Sequence, residues 1–125
     1  MSTRAFLQEL FDAAVAAAHP STCLVPHLPT PPRDGRLIVL AAGKAAGAMA
    51  EVAERHYLDT LSLAPDRLAG LAVTRHGYAR PTRLLPVVEA GHPVPDQASL
   101  DSAARSLALA DSARVGDLVD RKSVV

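Results

Sequence analysis

Three short stretches place cationic or proton-exchanging side chains beside glycine or proline. The first is Gly43-Lys44, inside LIVLAAGKAAGAMA (residues 37–50). A helix N-terminus offers unpaired amides and partial positive charge, and an ammonium there adds a full charge, so the natural ligand is a phosphate or carboxylate. The stretch is neither the dinucleotide fingerprint nor the Walker loop. A solvated lysine beside a packing glycine is the competing reading. The second stretch is TRHGY (74–78), where Arg75 offers paired donors and His76 can donate or accept; polar loops at strand ends often carry such residues without binding anything. The third is EAGHPVPD (89–96). Pro93 and Pro95 fix their own φ and restrict the residues before them, so a stiff loop presents His92 and Asp96. Asp96 also reads as a helix N-cap, His92 as a turn residue bonded to backbone, and Glu89 as a solvent-facing strand residue. No set of residues has metal-ligand spacing, Cys23 lies in a proline-rich connector, and no nucleophile elbow occurs.

These residues need elements to hold them. Phe6, Leu7, Leu10, Phe11 and Val15, with Ala14 and Ala18, repeat at helical spacing and predict a helix over 4–18 with one buried face. Five prolines between His19 and Gly35 then predict an extended connector without regular helix. Leu37–Leu40 reads as a strand covered on both faces, and it ends in the glycine turn that carries Lys44. From Ala45 to about Tyr57 the spacing is helical again, with Met49, Val52 and Ala53 inward and Glu51, Glu54 and Arg55 outward. Leu71–Thr74 and Leu85–Ala90 are two more strands, each ending at one of the candidate loops. Asp96 caps a helix over about 97–110 whose predicted buried stripe is Leu100, Ala103, Ala104 and Leu107. Alternating strands and helices favour a parallel α/β sheet.

Composition bounds the rest. The chain has 125 residues, 49% hydrophobic and 21% charged, which suits one small domain and argues against intrinsic disorder and a membrane-embedded class. Aromatics are 3% and Trp is absent, while 24 alanines imply close helix packing. Thirteen basic residues balance thirteen acidic ones, so attraction to nucleic acid or an anionic membrane is not expected. No apolar run approaches the length of a membrane span. Glu9 and Asp12 interrupt what would be the apolar centre of a signal peptide, and a single cysteine fits a reducing cytosol.

In order, FLQELFDAAVAAAHP (6–20), RLIVLAAGKAAGAMA (36–50), GLAVTRHGY (70–78) and VVEAGHPVPDQAS (87–99) resemble the N-terminal domain of the glycerate 2-kinase family, also called the MOFRL or DUF4147 family. The resemblance runs to Val119. It implies a Rossmann-like parallel sheet flanked by helices, with the active site in a cleft against a C-terminal domain. It implies transfer of the γ-phosphoryl of ATP to the 2-hydroxyl of D-glycerate with Mg²⁺, giving 2-phosphoglycerate, in the cytoplasm. Lys44 matches the family's active-site lysine, while Gly43, Arg75, His76, His92 and Asp96 match motif positions near the cleft and its phosphate. The family has also been labelled hydroxypyruvate reductase, which leaves a Rossmann-type oxidoreductase as the alternative and a non-catalytic binding or assembly domain as a third reading.

One departure qualifies the resemblance. After Asp117-Leu118-Val119 the family continues into a strand and a Ser-Gly-Gly-Gly-Ser phosphate loop, whereas this chain reads DRKSVV. Three charged or polar residues in mid-strand have no packing logic, and DRKSVV is also the translation of a common sequencing-adapter string. The expectation is therefore a domain over 1–119 with about three strands, a non-native tail over 120–125, and no C-terminal MOFRL domain. Phosphoryl transfer draws on groups from several segments, so this chain alone is expected to be inactive.

Overall fold

The structure, a computed structural model, describes residues 1–123. Four helices and four strands follow one another as α1 (Thr3–Ala18), α2 (Pro20–Cys23), β1 (Leu37–Ala42), α3 (Ala46–Arg55), β2 (Leu68–Arg75), β3 (Val87–Ala90), α4 (Gln97–Asp111) and β4 (Leu118–Ser123). The strands form one parallel sheet in the order β3-β2-β1-β4. This is the expected α/β architecture, with four strands rather than about three. The connector is not wholly extended: Pro20, whose missing N–H costs nothing at a first helical position, opens the short α2.

The sheet grows outward from β1 in both directions. The β1-to-β2 crossover carries α3, and the β3-to-β4 crossover carries α4, so right-handed connections put the two helices on opposite faces. That explains why Leu37, Ile38 and Val39 are all buried in succession. Leu37, Val39 and Leu68 pack with Ala53, Tyr57 and Leu85 on the α3 side. Beyond α3 a wider turn over His56–Thr60 carries Tyr57 fully inward. Its hydroxyl donates to the Pro29 carbonyl at 2.8 Å, which fastens the connector over the core. Burial, together with the negative charge of Asp120, pushes the Tyr57 phenol up.

Three expectations are corrected by what the helices bury. Helix α1 forms, yet none of its residues is buried, and Phe6 and Phe11 are 52% and 63% exposed. Helix α4 forms behind its Asp96 cap, but Leu100 and Leu107 point to solvent and Ser102 is the buried residue. Periodicity identifies an apolar face without saying what covers it. Glu54, assigned outward, is 3% exposed. Its carboxylate accepts from the backbone N–H groups of Arg83, Leu84 and Leu85 at 2.6, 2.7 and 2.8 Å, and so fixes the loop between β2 and β3.

The C-terminal strand also departs from expectation. Asp120, Arg121 and Lys122 do not interrupt it: Leu118–Ser123 pairs in parallel with all of Leu37–Ala42. Its entry is fixed by Asp117, which accepts from the Arg36 backbone N–H at 2.7 Å and from the Arg36 guanidinium at 2.8 and 3.1 Å. Hydrogen bonds from the Arg36 and Arg114 backbone, then the Arg36 side chain, hold the Asp117 carboxyl down to about 2. Of the expected tail, Asp120–Ser123 lies in this strand, and Val124 and Val125 lie outside the described residues.

The strand's charges carry a cost. Asp120 lies on the Leu118 side of the sheet; one of its oxygens meets the Lys122 ammonium at 2.5 Å and the other is buried without a partner. A buried unsatisfied acceptor costs about 1–3 kcal/mol. Asp120→Leu is therefore expected to stabilise the chain by ~1–2 kcal/mol, since the freed lysine can extend its stem to water. Thermal denaturation measures this, and a lower melting temperature would contradict it.

Candidate functional site

Parallel register brings the C-terminal ends of three strands to one edge. Ala42 stands beside Val73, and Arg75 beside Ala90. The loops that follow therefore converge: Gly43-Lys44 after β1, His76-Gly77 after β2, and Gly91-His92 after β3. In open α/β sheets this is where ligands bind.

Gly43 makes the first turn. It has φ 114°, a conformation that side chains disfavour, and its N–H donates to the Val73 carbonyl at 3.0 Å. The chain then enters α3, whose first N–H group bonds back to the Gly43 carbonyl at 3.1 Å. Lys44 sits in this turn, exposed. Thr74 donates to its carbonyl at 3.3 Å, tying the backbone to β2 while leaving the ammonium alone. None of the ion pairs among the described residues involves Lys44.

A cavity of about 520 Å³ opens beside that turn. Gly43, Lys44, Arg75 and His92, all singled out from the sequence, line it. Its apolar floor comes from Ala42, Val73 and Ala90, and the opposite wall is α4, with Ser99, Ser102, Ala103 and Ser106. Only Ala103 of that wall was read as inward from the sequence; its serines were missed because the leucines drew the inward face to the other side of the helix. The signal was nonetheless present: serines at 99, 102 and 106 recur at helical spacing.

His76 and Asp96 are not part of the lining. They meet each other, with the His76 Nε2 2.9 Å from an Asp96 oxygen. Asp96 also caps α4 by accepting from the Ser99 N–H at 3.0 Å, and the Ser99 hydroxyl oxygen accepts in turn from the Asp96 N–H at 3.1 Å. The His76 hydrogen bond, followed by the Gly91 and Ser99 backbone donors, holds the Asp96 carboxyl well below the usual carboxylate range. The pair thus ties the loop after β2 to the start of α4. Arg75 stacks over Tyr78, its guanidinium carbon 3.8 Å from the ring centre, and also donates to the Tyr78 hydroxyl. Close approach of this loop to α3 depends on Gly47, where a Cβ would meet the Tyr78 carbonyl at 2.9 Å.

The rim is cationic and the interior apolar. Lys44 and Arg75 can neutralise an anion there, and His92 can donate a hydrogen bond to it or accept one. No carboxylate lines the cavity, because Asp96 is occupied as described and Glu89 accepts from the Gly77 N–H. Among the described residues no cluster of three or more His, Cys, Asp or Glu could hold a metal ion. No helix among them is long and apolar enough to cross a membrane.

Residues 6–119 match the model of a family described as a domain of unknown function, DUF4147. The chain is 40% identical over 119 residues to an Agrobacterium vitis protein with the provisional name hydroxypyruvate reductase, covering 95% of this chain and 26% of the relative. It is 32% identical over 112 residues to the D-glycerate 2-kinase of Thermotoga maritima, covering 89% and 25%. The crystal structure of a glycerate kinase from Thermotoga maritima superposes with a TM-score of 0.69 at 30% identity, over 90% of this chain and 26% of that one. The chain thus spans about a quarter of the length of the curated relatives it matches.

Proposed function

Because the chain belongs to the DUF4147 family, we propose that it supplies the phosphate-facing wall of a glycerate 2-kinase, an enzyme that transfers the γ-phosphoryl of ATP to the 2-hydroxyl of D-glycerate. The observation that carries this reading is Lys44, whose backbone is held in the β1-to-α3 turn while its ammonium, without an ion-pair partner among the described residues, lines a cavity. The names of several relatives support it.

Phosphoryl transfer is mostly positioning and charge stabilisation. Lys44 would hold non-bridging phosphate oxygens and offset the charge that spreads over them as the group moves. Amides of this turn and of the start of α3 that are not already bonded would add donors in the same direction, whereas the Gly43 N–H is held by the Val73 carbonyl and Gly43 serves to shape the turn. His76 and Asp96 would act as positioning residues, since each is bonded to the other and neither lines the cavity. Magnesium, when bound with the nucleotide, would neutralise charge on its phosphates. The groups that hold the glycerate, the base for its 2-hydroxyl and the rest of the phosphate clamp would come from other polypeptide, so this chain by itself is expected to turn over no glycerate.

The second reading, hydroxypyruvate reduction, is favoured by the name of the Agrobacterium relative. Its difficulty is that AAGKAAGA lacks the glycine spacing that lets a pyrophosphate approach the first turn. Titration of the chain with ATP and with NADH, followed by amide NMR shifts, separates the two. ATP is expected to move Gly43, Lys44 and Ala46 saturably. Saturable shifts with NADH and none with ATP would replace the kinase reading by the reductase one.

A further inference from the structure

A kinase has two substrates, and the cavity's lining discriminates between them. Its volume, about 520 Å³, lies in the range of pockets that enclose most of a drug-sized ligand, far more room than a three-carbon acid needs. The floor is methyl-lined by Ala42, Val73 and Ala90, and Ala103 faces it from α4.

The hydroxyls that line the cavity are already committed. Ser102 donates to the Ala98 carbonyl, Ser106 to the Ser102 carbonyl at 2.9 Å, and Thr74 to the Lys44 carbonyl at 3.3 Å. Ser99 is locked in the cap with Asp96. A carboxylate set against the floor and the α4 wall, away from Lys44, Arg75 and His92, would lose water without gaining a donor from these hydroxyls, a penalty of a few kcal/mol for each stranded polar group. A flat heteroaromatic ring loses little on the same surface, and two cations, Lys44 and Arg75, line the cavity beside His92 where its phosphates would emerge.

We propose that the cavity takes the nucleoside of the nucleoside triphosphate, with the phosphates running outward past Lys44, and that the acceptor acid binds outside it. This rests on the kinase reading and adds the assignment of one substrate to one site.

The test uses adenosine, which has the ring and no phosphate, with inorganic phosphate and D-glycerate as separate probes of the 125-residue chain. Adenosine alone is expected to shift the NMR signals of Ala42, Val73, Ala90 and Ala103 saturably, with D-glycerate failing to displace it. Ala103→Phe, at an exposed position on α4, projects a ring into the cavity and is expected to weaken adenosine and ADP at least tenfold while leaving phosphate-induced shifts at Lys44 unchanged. Ser106→Leu blocks the same wall and serves as the second variant; an unchanged melting temperature shows that each remains folded. If D-glycerate moves the cavity signals and adenosine does not, the assignment is overturned and the kinase reading stands. Adenosine binding that both variants leave intact also overturns it, because the ring then sits elsewhere. If neither adenosine nor phosphate binds, both readings fall together.

Discussion

Lys44→Ala is expected to weaken ATP and inorganic phosphate on the order of tenfold, the loss of one charge-assisted contact, with little change in melting temperature because the side chain is exposed and makes no ion pair among the described residues. Lys44→Arg should retain part of the binding, since charge survives while the point-like geometry of the ammonium does not. The salt dependence should flatten in the alanine variant, because exposed charge attraction is screened at physiological ionic strength. Where residues 1–119 replace the corresponding quarter of a full-length relative, the same substitution is expected to lower kcat by about a hundredfold to a thousandfold, the usual loss on deleting a donor to transition-state charge. Isothermal titration at two salt concentrations and a coupled kinase assay provide the measurements. Wild-type affinity in the alanine variant would remove Lys44 from the site.

The second large effect concerns folding. Glu54→Ala strands three backbone donors that now share one buried carboxylate. Breaking such an arrangement costs about 3–5 kcal/mol, a large part of the ~5–15 kcal/mol that holds a domain together. Urea denaturation at neutral pH should show the variant largely unfolded or shifted far to lower midpoint. Glu54 also sets an acid limit. Burial raises its pKa, but the three backbone donors and then Arg83 outweigh burial and leave it below its ordinary 4.5. A carboxyl depressed in the folded state contributes fully above 4.5 and progressively less as pH falls through its folded value. Wild-type stability should therefore decline below pH 4.5, and Glu54→Gln, already weaker at neutral pH, should show a shallower decline.

How far the sequence could be read depended on whether a residue's partner was near it in the chain. Gly43-Lys44 was legible because a buried strand, a glycine and a helix start follow one another directly, and Asp96 because its cap partner Ser99 is three residues on. Arg75 and His92 were legible as strand-end residues, since parallel strands deliver their C-terminal loops to one edge. Glu54 was not, because the N–H groups it serves lie about thirty residues away and helical spacing alone turns it to water. The His76–Asp96 pair was missed for the same reason: both looked like ligand residues until the fold set them against each other. In β4 the charges argued against a strand, but six consecutive pairings with β1 at a sheet edge decide otherwise.

Helix α4 meets the strands largely through serines and alanines, and two of its three leucines, Leu100 and Leu107, look away. Short side chains bring few methylenes to a contact, so dispersion holds this helix far less firmly than Met49, Val52 and Tyr57 hold the opposite layer. The molecule is consequently lopsided in stiffness, with one face of the sheet anchored and the other merely rested upon. The wall that looks across at Lys44 is the one that can give way to an incoming ring without disturbing the anchored side.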